Sequence, residues 1–440
     1  MRRPIYDMSV FKERRESLAA RMKGGALVLA SHPEYIRNND VHYPYRQDSN
    51  FFYLTGFEEP ESVFVFRPGQ TPETILFVRP KDVMRETWDG FRYGPEATQT
   101  QFGVDKTYLI SEFDKMIGEL LRPCDRVYYR WNIDRDFDAK MLNILSEVRV
   151  LVGRSGRGHL PVHDAWELIG EQRLFKSLYD VGVMRKACEI SSNAHIEAMR
   201  FTKPGVTERQ VQGVLLGSFY MQNADREGYN SIVAAGANAT TLHYVFNDQP
   251  CKDGDLLLID AGAEYQMYTG DITRTFPING KFTPAQRKVY DPLLALQKDL
   301  IARIKPGIPF RSLQEVTVDA LTDIMIDLKL LEGSRQSLID SQAFKRYYPH
   351  GVGHWLGMDV HDAGMSIVNG EPRLLEPGMA FTIEPGLYIP ADDMNAPAEL
   401  RGIGIRIEDN VIVTPSGCEN LTASCPKEVH DLESIIGRRG

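Results

Sequence analysis

Five residues of metal-binding type, Asp260, Asp271, His354, Glu384 and Glu408, follow one another along the last two fifths of the chain, each in a β-like or glycine-rich segment. Asp260 closes an apolar run that begins at Leu256, and a second strand-like run follows a turn near Tyr265. If the two runs pair antiparallel about that turn, Asp260 lies opposite Asp271, with Cβ atoms roughly 5 Å apart on one face. Two carboxylates so placed repel, and without a cation one is forced towards its protonated form. A divalent metal removes the conflict. Taken alone, the pair would serve equally well as the edge of a solvated hairpin.

Glu384 and Glu408 shift that balance. The apolar segment from Gly378 runs into Glu384, and Pro385 biases Glu384 towards extended geometry, so its carboxylate leaves a strand end sideways. From Gly402 to Val413 the alternation is strict, with Ile403, Ile405 and Ile407 on one face and Gly404, Arg406 and Glu408 on the other. An exposed edge with a surface ion pair is the plain alternative. A polar face lining a cleft agrees better with Gly404, which leaves room for a ligand or a backbone to approach. The imidazoles cluster too: His350, His354 and His361 are three of the chain's ten histidines. Gly351, Gly353 and Gly357 argue against a helix there, each costing about 1 kcal/mol relative to Ala. The segment is therefore expected as a glycine-rich loop and strand presenting all three histidines to one pocket. His243 stands alone, and spacing assigns it nothing.

Four carboxylates and one imidazole form a hard, oxygen-rich donor set, which suits Mn²⁺, with Co²⁺, Fe²⁺ and Zn²⁺ as alternatives. Four carboxylates balance two divalent cations, and five side chains hold such a pair if carboxylates bridge. Two metals about 4 Å apart activate a shared water and clamp developing negative charge. The expected chemistry is hydrolysis of an acyl bond.

These residues need a scaffold. At 440 residues the chain exceeds what one core usually serves, so two domains are expected. The composition is that of an ordinary soluble globular protein, and a net charge of −9 argues against a nucleic-acid surface. Five cysteines, odd in number and without a Cys-x-x-Cys pair, suit reduced packing residues and a cytoplasmic protein. Met1–Asp7 carries charge without the apolar core of a signal peptide, and no apolar run reaches membrane-spanning length.

In the first half, helical periodicity covers 9–23, 111–121 and 136–147, and strand patterns cover 24–30, 62–67, 74–78 and 126–129, which makes an α/β unit. Gly153–Gly158 is rich in glycine and arginine and is expected as a solvated connector, since the lysine and hydroxyl residue of a phosphate-binding loop are missing. Helical patterns over 164–171 and 177–200 set the domain boundary near 172, giving domains 1–172 and 173–440. The second domain alternates helices over 207–223, 283–304 and 310–328 with strands near 231–235, 256–263, 267–275, 379–384 and 403–413. Hairpins with helices, instead of regular βαβ units, predict an α+β domain with a curved antiparallel sheet and flanking helices.

Asp260, Asp271, the His-Gly-x-Gly-His-x-x-Gly-x-x-x-His run from His350 to His361, Glu384-Pro-Gly and Arg406-Ile-Glu408 together resemble the signature of the pita-bread metallopeptidases. Within them the chain is most similar to the aminopeptidase P (Xaa-Pro aminopeptidase) group. The stretch Tyr43–Pro60 resembles that group's N-terminal domain, so the likeness spans nearly the whole chain. The resemblance implies removal of the first residue from peptides with proline second, with two Mn²⁺ ions. It implies that Asp260 is a terminal ligand, that Asp271 and Glu408 bridge, and that His354 and Glu384 each complete one ion. Glu384 would shuttle the proton, while His361 and His243 would steady the substrate. Arg406 would orient Glu408 or bind substrate from behind it, His350 and Tyr388 would line the pocket, and Trp88 would reach a neighbouring subunit's site, with packing as the plain alternative for the last three. A homodimer or homotetramer is implied, in which the N-terminal domain serves assembly and substrate access. Three rivals stand beside this reading: prolidase, restricted to Xaa-Pro dipeptides; creatinase, disfavoured by the intact ligand set; and a non-catalytic module like those of histone chaperones. The last is disfavoured by the same ligands and by an end at Arg438–Gly440 without an acidic run.

Overall fold

A computed structural model of the chain describes residues 6–438; Met1–Ile5 and Arg439–Gly440, on which part of the leader and tail readings rest, lie outside the described residues. The chain divides into two compact units, one ending at Gln172 and the other beginning at Arg173.

The first unit is built on a six-stranded sheet in the order Lys106–Leu109, Thr74–Val78, Val63–Phe66, Ala26–Ala30, Val127–Tyr129, Val162–Asp164. The central strand Ala26–Ala30 runs antiparallel to Val63–Phe66 and parallel to Val127–Tyr129, so the α/β expectation holds with a mixed sheet. Helices Phe113–Leu121 and Arg135–Leu151 bury Ile117, Leu121, Ile144 and Val148 in one core with Val28, Val65 and Phe77. The second of these helices outruns its expected end at 147, because the buried face continues through Val148. Gly153–Gly158 is solvent-facing. Trp88 sits on the short helix Val83–Asp89, none of whose residues is buried, and is 83 % exposed. The packing alternative for Trp88 is thereby overturned.

The second unit surrounds short antiparallel strands with long helices, among them Leu178–Phe201, Glu208–Met221, Pro284–Arg303 and Phe310–Asp327. The first three begin with reciprocal capping boxes, Ser177 with Asp180, Thr207 with Gln210 and Thr283 with Gln286. Each box satisfies first-turn amides that have no partner inside the helix. Strand Leu256–Asp260 lies between Ile232–Ala235 and Thr273–Pro277. A second group is formed by Ala380–Ile383, Asp409–Thr414 and Gly417–Asn420, and Gly386–Tyr388 pairs with Gly404–Arg406. The groups are stitched together where the Glu408 amide donates to the Thr273 carbonyl at 3.0 Å and the Thr275 hydroxyl to the Arg406 carbonyl at 3.0 Å. Ile259, Phe276, Phe381, Ile405, Ile407 and Val411 fill the core beneath. Among the described residues no helix is long and apolar enough to cross a membrane.

One register differs from expectation. Asp260 pairs with Thr273, not with Asp271. The two-residue turn is Gln266–Met267, both at positive φ (49° and 69°), the pattern of a type I′ hairpin loop. It sits one residue later than expected, which moves the pairing by two. Because side chains alternate with a period of two, Asp271 stays on the same face, now diagonal to Asp260.

Candidate metal centre

Every acidic member of the set sits where a strand ends. Asp260 closes Leu256–Asp260, Asp271 precedes Thr273–Pro277, Glu384 follows Ala380–Ile383, and Glu408 lies between Gly404–Arg406 and Asp409–Thr414. His354 is carried by an irregular segment laid against Ala380–Ile383, with the Thr382 amide donating to the His354 carbonyl at 3.0 Å and the Glu384 amide to the Val352 carbonyl at 2.8 Å. Gly353 permits that approach, since a Cβ there would lie 1.9 Å from the Thr382 carbonyl oxygen. Gly404 has a similar role: its Cβ would lie 2.2 Å from the Ala239 carbonyl oxygen, so the room it leaves is taken by backbone.

All five residues line one cavity of about 550 Å³, together with His243, His350, His361 and Arg406. His354 Nε2 is 3.4 Å from Asp271 Oδ2 and 3.5 Å from Glu384 Oε1. The rings of His354 and His361 meet edge to face at 4.3 Å. Arg406 donates through Nη2 to Asp260 Oδ2 at 2.6 Å, through Nε to the Thr273 hydroxyl at 3.0 Å, and through Nη1 to the Tyr388 hydroxyl at 2.8 Å. The Tyr388 oxygen in turn lies 2.8 Å from His350 Nε2. Tyr388 therefore stands behind the wall and holds two of its members. Trp88 belongs to the first unit and is not among the residues that line this cavity.

Three residues that spacing did not single out complete the site. The Tyr229 hydroxyl lies 2.7 Å from Asp260 Oδ1 and 2.5 Å from Asp271 Oδ1. Thr273 donates to Glu408 Oε2 at 2.6 Å, and Thr382 donates to Glu384 Oε1 at 3.2 Å. The two threonines stand two positions from Asp271 and from Glu384, where strand alternation puts them on the same face. Tyr229 comes from a separate segment and leaves no such trace.

The electrostatics are those of a site with too much negative charge. Burial, then the neighbouring carboxylates, pushes Glu408 well above the usual range. Burial raises Glu384 to about 7 despite the pull of His354 and Arg406, and burial also raises Asp271. Burial would lower His354, but Asp271 and Glu384 outweigh it and hold the imidazole at about 9. His350 is taken down to about 4 by burial and by Arg406. Asp271, His354 and Glu408 each offer a ligand atom, and these atoms lie within 4.8 Å of one another. Crowded, buried, acceptor-rich and short of cations, the donor set fits divalent metal ions.

Comparison with known proteins agrees. Residues 182–415 match the model of metallopeptidase family M24, and residues 11–128 match the aminopeptidase P N-terminal domain. The chain belongs to metallopeptidase family M24, in its aminopeptidase P branch. This M24 chain is 41 % identical to the Xaa-Pro aminopeptidase of Haemophilus influenzae, over 97 % of its own length and 96 % of that protein's. It superposes on the aminopeptidase PepP of Pseudomonas aeruginosa with a TM-score of 0.94 and 44 % identity, covering 99 % of this chain and 98 % of that one. On the zinc-substituted, product-bound aminopeptidase P of E. coli the TM-score is 0.93 at 39 % identity, covering 98 % of each chain. The M24 chain is thus an enzyme, a divalent-metal hydrolase with the two-domain α+β pita-bread architecture of its family.

Proposed function

We propose that this M24 enzyme is an Xaa-Pro aminopeptidase that removes the first residue from peptides whose second residue is proline. The convergence of Asp260, Asp271, His354, Glu384 and Glu408 on one cavity supports the reading most, and near full-length likeness to enzymes of that name favours it over prolidase. Two divalent cations, Mn²⁺ first by the hardness of the donors, would make water nucleophilic at neutral pH and stabilise negative charge on the scissile carbonyl. Asp260, Asp271, His354, Glu384 and Glu408 would hold the two ions, with Asp271 and Glu408 placed to serve both.

The chain's own groups do the rest. Glu384, on the cavity wall beside His354, takes a proton from water and returns it to the proline nitrogen that leaves. His361 and His243 face the same cavity and donate to the carbonyl oxygen as charge develops on it. Arg406 fixes Asp260 on one side and, through Tyr388, His350 on the other. Exposed Trp88 is assigned to a neighbouring subunit's site in a homodimer or homotetramer, with the first unit serving assembly and substrate access. The enzyme is placed in the cytoplasm.

The test is Mn²⁺-dependent cleavage of Ala-Pro-Ala compared with Ala-Pro, with Glu384→Gln alongside. The tripeptide should be cut at the Ala–Pro bond in preference to the dipeptide, and the variant should lose on the order of 10²- to 10⁴-fold in kcat. Cleavage of the dipeptide alone would make the enzyme a prolidase, and a fully active Glu384→Gln would remove that side chain from proton transfer.

A further inference from the structure

His243 reaches the cavity from a segment without regular secondary structure. Between the short 3₁₀ turn Gly236–Thr240 and Pro250 the chain forms no helix or strand, and most of its residues are exposed. Tyr244 and Asn247 are the two buried side chains within 241–249. Fixing such a loop costs about 1–2 kcal/mol of backbone entropy per residue, so something must hold it.

One carboxylate bonds both ends and the middle of it. Glu208, in the first turn of helix Glu208–Met221, has no exposed surface. Its Oε1 accepts from the Ala235 amide at 2.7 Å and the Asn238 side-chain amide at 2.9 Å, just before and within the 3₁₀ turn. Its Oε2 accepts from the Tyr244 hydroxyl at 2.8 Å and the Gln249 amide at 2.9 Å, at the middle and far end of the loop. Four donors on two oxygens leave no acceptor site idle. Asn238 also donates to the Tyr244 hydroxyl at 3.2 Å. Asn247 adds a second anchor, accepting from the Val233 amide at 2.9 Å and donating to the Ser231 carbonyl at 2.8 Å. Leu242, His243 and Val245, which flank Tyr244, all line the cavity.

We infer that Glu208, acting through Tyr244, is a positioning device that sets where His243 stands in the substrate cavity. The inference rests on the role proposed above for His243. Nothing else on the loop ties residue 243 to the scaffold so directly: the neighbouring phenol is buried and bonded, while the imidazole faces the cavity. Hydrogen bonds to a carboxylate are roughly twice as strong as neutral ones, which suits a clamp made of few contacts.

A double-mutant cycle of Tyr244→Phe and His243→Ala in the full-length, Mn²⁺-loaded enzyme tests this, read as kcat/KM on Ala-Pro-Ala. Tyr244→Phe removes one oxygen and should cost roughly ten- to hundredfold, since small misplacements of a catalytic group cost that much. In the His243→Ala background the same change should have almost no further effect. An equal loss in both backgrounds would overturn the inference, because a merely structural hydroxyl does not care whether the imidazole is present. A Tyr244→Phe variant as active as the parent would overturn it too. If His243→Ala itself loses nothing, the role proposed for His243 fails first, which separates the two failures. Should Tyr244→Phe not fold, Asn238→Ala, at the half-buried edge of the same clamp, carries the comparison.

Discussion

A single hydroxyl oxygen between two acidic side chains can donate only one proton, so Tyr229 cannot satisfy Asp260 and Asp271 at once. In the proposed site it would hold the two carboxylates in the orientation a cation needs, as an outer partner fixes a metal ligand. Tyr229→Phe should leave the fold intact and weaken Mn²⁺ binding by about 10- to 100-fold, measured by titration calorimetry on the metal-stripped enzyme. Unchanged affinity would reduce Tyr229 to packing. At this scale the site was legible where residue type and short spacing act together. The three histidines and the Arg406–Glu408 face meet as the sequence pattern requires, and Thr273 and Thr382 follow from alternation once Asp271 and Glu384 are chosen. Tyr229 and the Glu208 clamp were not legible, because their partners lie far along the chain and only tertiary packing joins them. His243 shows the same limit from the other side: isolated in sequence, it entered through family resemblance.

The element that matters most is the hairpin joining the two aspartates. The pattern correctly placed two antiparallel runs and one shared face, yet misjudged the register, since Gln266–Met267 lacks the Asn-Gly chemistry that marks an I′ turn. What permits the tight crossing between the aspartates is glycine. A Cβ at Gly262 would lie 1.8 Å from the Gly270 carbonyl oxygen and 3.2 Å from the Asp271 amide nitrogen. Gly262→Ala must therefore push the Asp271 strand away. The expected cost is about 3 kcal/mol in stability, with loss of activity that added Mn²⁺ does not restore. Thermal unfolding and a metal titration of kcat would check it, and a variant with the parent's midpoint and rate would show that the crossing can relax. Strands were otherwise harder to bound than helices. The helix starts expected at 207 and 283 coincide with capping boxes in the structure, whereas the run 403–413 breaks at Ile407 and Glu408 because its two ends pair with different partners.

Across the whole molecule, buried ionisable groups link stability to pH. His195, fully buried on helix Leu178–Phe201, pairs through Nε2 with the Ala261 carbonyl at 3.0 Å, one residue beyond Asp260. Burial lowers its pKa from 6.5 to about 4. The unfolded chain therefore binds this proton first, so the contribution is complete above pH 6.5 and is lost as pH falls through 4. The size is about 3 kcal/mol. Asp409, held below the usual carboxylate range by Arg274 and Lys427 against the effect of burial, adds a further loss at still lower pH. Urea unfolding of the parent and of His195→Gln between pH 7 and 4 should show the parent falling more steeply by that amount. Parallel curves would mean that His195 binds its proton equally well in the folded and the unfolded chain.

The direct test of the metal centre is a crystal grown with excess Mn²⁺ and measured at the manganese absorption edge. Two anomalous peaks are predicted in the cavity, both within coordination distance of Asp271 and Glu408, one of them also near Asp260 and the other near His354 and Glu384. No peak there, or peaks held by other side chains, would contradict the assignment of this cavity as a dinuclear hydrolytic site.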